Sequence, residues 1–192
     1  MGQYYKPVNL DRRKFLDSHD FSNGLKLMEH SWLRNDFVGY VAMKLANEWK
    51  GDTLIWAGDY GDEAKFVPSV QVSLYQIASD LFIQQKPTEE EINELELDNI
   101  DKFNEEYPYL VNYDNKQFVD TRNCPNDDGW IVHPLPLLVS DGNGRGGGDY
   151  RPLNEVDEKH VGLWAGDSIG VEKKDTDMTA YTEIKPNFIE EF

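Results

Sequence analysis

Apolar residues fall at helical spacing at Phe37, Val41, Leu45 and Trp49, each four residues after the last, which places one stripe on a core-facing helix. Asn35 or Asp36 can cap its amino end, and Gly51 lies just past its last turn. The short run Thr53 to Ala57, closed by Gly58-Asp59, reads as a strand. A second helix is expected after Pro68, capped by Ser69, with Val70, Leu74, Ile77 and Leu81 as its stripe. Thr88 to Glu106 reads as a third helix, because Thr88 and Glu91 form a capping box and Ile92, Leu95, Asn99 and Phe103 mark one face.

On either side of this helical middle the pattern shortens to strands and turns. Gly2 to Leu33 alternates small apolar patches with turn signals, and Ser22-Asn23-Gly24 ahead of Leu25 to Met28 predicts a hairpin. Tyr109 to Asp120 predicts another, turning at Asp114-Asn115-Lys116. Val161 to Ala165 and Ser168 to Val171 predict a third across Gly166-Asp167. The apolar run from Trp130 to Ser140 contains Pro134 and Pro136, and a proline lacks a ladder donor, so an edge strand or extended segment is expected. Trp-Ala-Gly-Asp occurs at Trp56 to Asp59 and again at Trp164 to Asp167. Two similar strand ends explain the repeat, and Asp59 and Asp167 facing one site is the alternative. Pro186 to Phe192 reads as a helical turn docked by its aromatics. These elements predict a single α+β domain, with a mainly antiparallel sheet of hairpins and three helices inserted between Asn35 and Glu106.

Composition adds a core and a charge. A chain of 192 residues with five Trp, ten Tyr and nine Phe can bury roughly 70% of its unfolded surface. Acids outnumber bases 36 to 19, a net charge of −17, which argues against direct binding of nucleic acid, because phosphate contacts need Lys and Arg. The same excess favours solubility, a cationic protein partner, or imitation of nucleic acid. There is no long apolar window and no apolar signal region at the amino terminus, so a soluble cytoplasmic protein with no membrane partner is expected. Cys124 is the sole cysteine, which leaves no internal disulfide and no cysteine zinc site; no metal or cofactor is expected. Its neighbours Asp127 and Asp128 discourage a reactive thiolate.

Three stretches carry candidate chemistry. The first holds Glu89, Glu90, Glu91, Glu94, Glu96, Asp98, Asp101, Glu105 and Glu106 against Lys102 alone. On a continuous helix of about 27 Å this is one charge per about 3 Å, near the ~3.4 Å phosphate spacing of a DNA strand. A solvated polar face explains the same residues, and a docking face for a basic partner would use Glu90, Glu94 and Asp101. The second is the pair of couples His19-Asp20 and Glu29-His30, which a hairpin would bring together for acid-base work, with His133 as a third candidate histidine.

The third is Gly142 to Gly148, which contains five glycines and Arg145. Gly142 to Gly147 matches G-x-G-x-x-G in form, but Asp149, Tyr150 and Pro152 follow it where that fingerprint requires a helix. A calcium loop is excluded too, because Arg145 takes a ligand position and Pro152 stands where the bidentate Glu belongs. The remaining readings are a plain turn, closed by Arg145 with Asp141 or Asp149, or a mobile loop that orders on a protein partner with Arg145 and Asp149 in the contact.

Gly-Gln-Tyr-Tyr-Lys-Pro-Val-Asn-Leu-Asp at the amino terminus, the Ser-His-Asp and Leu-Lys-Leu-Met-Glu-His-Ser segments, Trp-Ala-Gly-Asp-Tyr, and the stretch from His-Pro-Leu-Pro-Leu-Leu to Gly-Asn-Gly-Arg-Gly-Gly-Gly-Asp-Tyr resemble a group of small proteins of bacteria and their mobile elements. The resemblance spans most of the chain and implies no particular activity or catalytic residue. By analogy, a mobile-element setting implies counter-defence. Two functions are therefore expected to compete. One is an acidic binding protein, such as an anti-CRISPR type inhibitor of a basic nucleic-acid-handling enzyme. The other is a small hydrolase or nuclease using His19, His30 or His133 with carboxylates.

Overall fold

In the computed structural model, which describes residues 2–62, 66, 72–126, 128–153 and 155–189, two adjacent strands near the amino terminus are buried along their whole length. Strands β1 (Tyr5–Asn9) and β3 (Leu54–Gly58) pair antiparallel, with Pro7 opposite Trp56. The period of two sorts their side chains. Tyr5, Leu54 and Trp56 enter the main core, while Val8, Ile55 and Ala57 enter a smaller cluster with Leu74 and Ala78 of helix α3 (Leu74–Leu81). A strand covered on both faces has no polar alternation, which is why Leu54 to Ala57 is continuously apolar.

Around this pair a five-stranded sheet runs in the order β4-β2-β1-β3-β7, where β2 is Lys14–Phe15, β4 is Ile83–Gln84 and β7 is Ser140–Asp141. A four-stranded sheet runs β8-β5-β6-β9, built on the hairpin β5 (Tyr109–Asn112) and β6 (Gln117–Asp120) with β8 (Ile169–Glu172) and β9 (Thr182–Glu183) at its edges. The α+β class holds, but both sheets are mixed, because β2–β4, β3–β7 and β6–β9 are parallel. Helix α2 (Asp36–Ala46) lies between the sheets' shared core and helix α5 (Leu97–Glu106). Asn35 caps α2 by accepting from the Val38 N–H at 3.2 Å. Gly39 on α2 admits the fully buried Ile100 of α5, whose Cδ1 would sit 3.6 Å from a Cβ at that position.

Several elements differ from their sequence expectations for identifiable reasons. The acidic stretch forms two helices, α4 (Glu89–Asn93) and α5, because Glu94 ends the first and Leu95 turns into the core. The capping box of Thr88 and Glu91 is present, but the nine acids do not form one continuous row. The second helix begins at Ser73, which accepts from the Gln76 N–H; Ser69 and Val70 lie outside the described residues, and Leu81 is 73% exposed. Pro134 to Leu138 form a short helix, α6, and only Ser140–Asp141 is a strand. Pro134 sits in the first turn, where a missing N–H costs nothing, so the proline that argued for an edge strand fits a helix start. The amino-terminal hairpin is replaced by a 3-10 turn at Ser18–Phe21 and helix α1 (Leu27–His30). Val161 to Ala165 is a run of turns that buries Trp164, leaving β8 without the predicted hairpin partner. Asp59 accepts from the Tyr4 N–H and Asp167 from Asn112 and Asn115, so each anchors its own turn. Pro186 to Ile189 are not helical; Phe188 packs edge-on against Tyr150 at 5.4 Å, and residues 190–192 lie outside the described residues.

The glycine loop is stitched to the start of β1. Gly147 accepts from the Gln3 N–H at 3.1 Å, and Gly148 accepts from the Met28 N–H at 3.0 Å. Asp149 receives the N–H groups of Arg145 and Gly146 at 2.8 and 2.9 Å, and its other oxygen accepts from the Tyr5 hydroxyl. The Arg145 guanidinium donates to the Tyr60 carbonyl at 2.7 Å and to Asp62 at 2.6 Å. The loop is therefore held by contacts from within the molecule. A Cβ at Gly146 would stand 2.5 Å from Gln3 Cβ and 2.8 Å from its backbone nitrogen. Gly146→Ala should accordingly lose about 1–3 kcal/mol in urea denaturation. A wild-type midpoint would show that the loop is not seated on Gln3.

Candidate functional site

A cleft forms where three segments of unlike origin meet: the link from α1 to α2, helix α5, and the loops before α6. Segments 31–33 and 131–133 run as a minimal antiparallel ladder, with Leu33 N–H donating to Ile131 at 2.9 Å and His133 N–H to Ser31 at 3.0 Å. That pairing brings Trp32 against Trp130, with ring centroids 5.2 Å apart and planes at 67°. The Trp32 indole N–H is tied to the Met28 carbonyl at 2.9 Å, so one wall is fixed, while Trp130 remains 57% exposed. Helix α5 closes the third side through Asn104, which donates to the Leu33 carbonyl at 3.1 Å. The Arg34 guanidinium grips Asp101 through two bonds of 3.0 and 2.7 Å. The cleft has a volume of about 1090 Å³, is open to solvent and is lined mostly by apolar surface.

The predicted site residues fall in separate places. Asp101 lines the cleft but is spent on Arg34; Glu90 lies on α4 and Glu94 ends it, both exposed and outside the cleft lining. Arg145 and Asp149 belong to the glycine loop, committed as described. The two histidine couples do not meet. His19 is exposed in the 3-10 turn, and Glu29 instead accepts from the Lys26 N–H at 3.0 Å. His30 is fully buried; its Nε2 accepts from the Trp56 indole at 2.9 Å, which leaves Nδ1 to donate to the Gly24 carbonyl at 3.1 Å. His133 caps α6, its Nδ1 accepting from the Leu135 N–H at 3.2 Å. Burial pushes His30 down to about 4 and His133 down to about 3, so both rings are neutral joints at pH 7. Burial, with help from Asp120, pushes the Cys124 thiol up to about 12 and keeps it protonated. Among the described residues no group of three His, Cys, Asp or Glu side chains could hold a metal ion, and no helix is long and apolar enough to cross a membrane.

The Trp32–Trp130 pair is not evident in the sequence, where Trp130 opens the apolar run to Ser140 and Trp32 lies in the region of short apolar patches and turns from Gly2 to Leu33. The available signal was a large aromatic set among turn residues, in Ser31-Trp32-Leu33-Arg34-Asn35 and in Asp128-Gly129-Trp130.

The buried histidines set a pH dependence. In the unfolded chain both titrate near ~6.5, so below that pH unfolding takes up protons that the folded protein refuses. Stability should fall as pH drops from about 6.5 toward 4, by up to ~1.4 kcal/mol per pH unit for each histidine. Glu29 and Glu91, whose carboxyls are lowered, act in the same sense only below their ordinary value of 4.5. His133→Asn keeps an acceptor for the Leu135 N–H and should remove about one proton from the slope, measured by urea denaturation at stepped pH. An unchanged slope would place His133 in solvent. Compared with protein-family models, curated proteins and solved structures, neither the sequence nor the fold finds a match.

Proposed function

We propose that this is an acidic binding protein that docks a basic protein partner on the face formed by α4 and α5. The observation that carries the reading is the surplus of unpaired acid there. Glu89, Glu90, Glu94, Glu96 and Asp98 are exposed and make no ion pair among the described residues. Of the cations near them, Lys44 holds Glu91 at 2.6 Å, Arg34 holds Asp101 and Lys174 holds Glu106 at 2.8 Å, while Lys102 on α5 is exposed and makes no ion pair among the described residues. Those pairs fix the two helices against α2 and the loops while the remaining acids face outward. Such a face speeds and orients encounter with a positive surface. A basic enzyme that handles nucleic acid carries a surface of that kind, and covering it would make this protein an inhibitor in the manner of a counter-defence protein.

The test is charge reversal at Glu90, Glu94 and Asp98 to Lys, leaving Asp101 in place because it positions Arg34. Partners captured from host lysate at low salt by the wild-type protein and released at high salt should be lost by this variant, with affinity down at least about tenfold, because the screening length is ~10 Å at 0.1 M. Unchanged low-salt capture by a folded triple variant would remove the acidic face from the binding account.

A further inference from the structure

We infer that the Trp32–Trp130 cleft is a receptor for an arginine side chain carried on a basic segment of the partner protein. The inference rests on the acidic-face reading for the partner's charge, but it stands on different residues. Three features of the cleft select this occupant.

The first is the aromatic corner. Two indoles at 67° with centroids 5.2 Å apart line the cleft together, and Trp130 is 57% exposed. The face of Trp is the strongest of the side-chain π surfaces for a cation, and arginine's planar guanidinium can stack on it while still donating in its own plane. Trp32 is held by its bond to Met28, so the corner is formed before anything binds and little ordering cost remains.

The second is the charge left over in the lining. Both arginines that line the cleft are occupied within the molecule: Arg34 by Asp101, and Arg122 by Asp120 at 2.8 and 2.6 Å. Glu105, also in the lining, is exposed and has no ion pair among the described residues. It lies seven residues after Asp98 on α5, with Asp101 and Lys102 between them, so the unpaired charge within the lining itself is the Glu105 carboxylate. An anion or a neutral apolar side chain gains nothing from that carboxylate.

The third is size and shape. About 1090 Å³ is at or above the upper end of the ~300–1,000 Å³ usual for compact small-molecule sites, and the cleft is open to solvent. An extended peptide with one long side chain directed inward uses such a shape better than a compact metabolite does.

The experiment uses the full chain, labelled so that the indole N–H signals of Trp32 and Trp130 are resolved by NMR. The probe is a short capped peptide of alternating arginine and alanine, compared with the same peptide carrying citrulline, which keeps the shape of arginine and removes its charge. The arginine peptide should shift both indole signals saturably at low salt, and the citrulline peptide should not. Trp130→Ala should weaken binding about tenfold, and because Trp130 is 57% exposed the core should survive the change. Trp130→Phe should recover part of the loss, and Glu105→Lys should weaken binding as Trp130→Ala does. Full affinity in Trp130→Ala, or equal binding of the citrulline peptide, overturns the inference. The two readings fail separately. Loss of peptide binding in the Glu90, Glu94 and Asp98 reversal alone leaves the acidic face standing without the cleft. Loss in Trp130→Ala alone leaves the cleft standing without the face.

Discussion

A net charge of −17 must be held on one small fold, and that constraint organises the molecule from core to surface. Mutual repulsion among carboxylates favours expansion, and several of the scarce cations offset it by joining segments remote in sequence. Arg12 joins the turn after β1 to Asp52, Lys50 joins the turn after α2 to Glu172 on β8, and Arg145 joins the glycine loop to Asp62. Exposed pairs of this kind contribute little stability one at a time, but each selects a single arrangement of the elements it joins. Among the acids without an ion pair in the described residues, Glu89, Glu90, Glu94, Glu96 and Asp98 are exposed together on and between α4 and α5.

Beneath the charges, the fold is fastened by a few buried polar joints between apolar surfaces. His30 receives the Trp56 indole and binds Gly24, which ties α1 to the central strand β3. Asp149 gathers two loop N–H groups and the Tyr5 hydroxyl, which ties the glycine loop to β1. Each joint satisfies groups whose burial alone would be costly, and each fixes the register of a segment with little apolar area of its own. The same joints determine the cleft, because His133 both caps α6 and pairs its backbone with Ser31, next to Trp32.

What was legible in the sequence follows from the range of the determining interactions. Helix α2 with its Asn35 cap, the Thr88–Glu91 box, strand β3 and the Tyr109 to Asp120 hairpin are fixed by neighbours a few residues away, and they were readable. The break at Leu95 was hidden because both halves of the stretch have helical composition, and only burial of Leu95 in the core stops the first helix. The parallel pairs β2–β4 and β3–β7 join segments tens of residues apart, which local alternation cannot encode. Histidines that read as reactive proved to be buried joints, since sequence shows the imidazole but not its desolvation. The cleft was hidden by sequence distance: Trp32 and Trp130 are 98 residues apart and are brought together by a single bridge, Trp32 opposite Val132.

The central claim is that the acids of α4 and α5 serve binding rather than folding. It is tested most directly by neutralising Glu89, Glu90, Glu94, Glu96 and Asp98 to their amides and measuring the urea midpoint beside partner affinity on the same sample. The account predicts a midpoint close to that of the wild-type protein, because relieved repulsion offsets the lost first-turn charge of Glu89, Glu90 and Asp98 and no ion pair among the described residues is lost, together with a large loss of affinity at low salt. A lowered midpoint with affinity retained would contradict it.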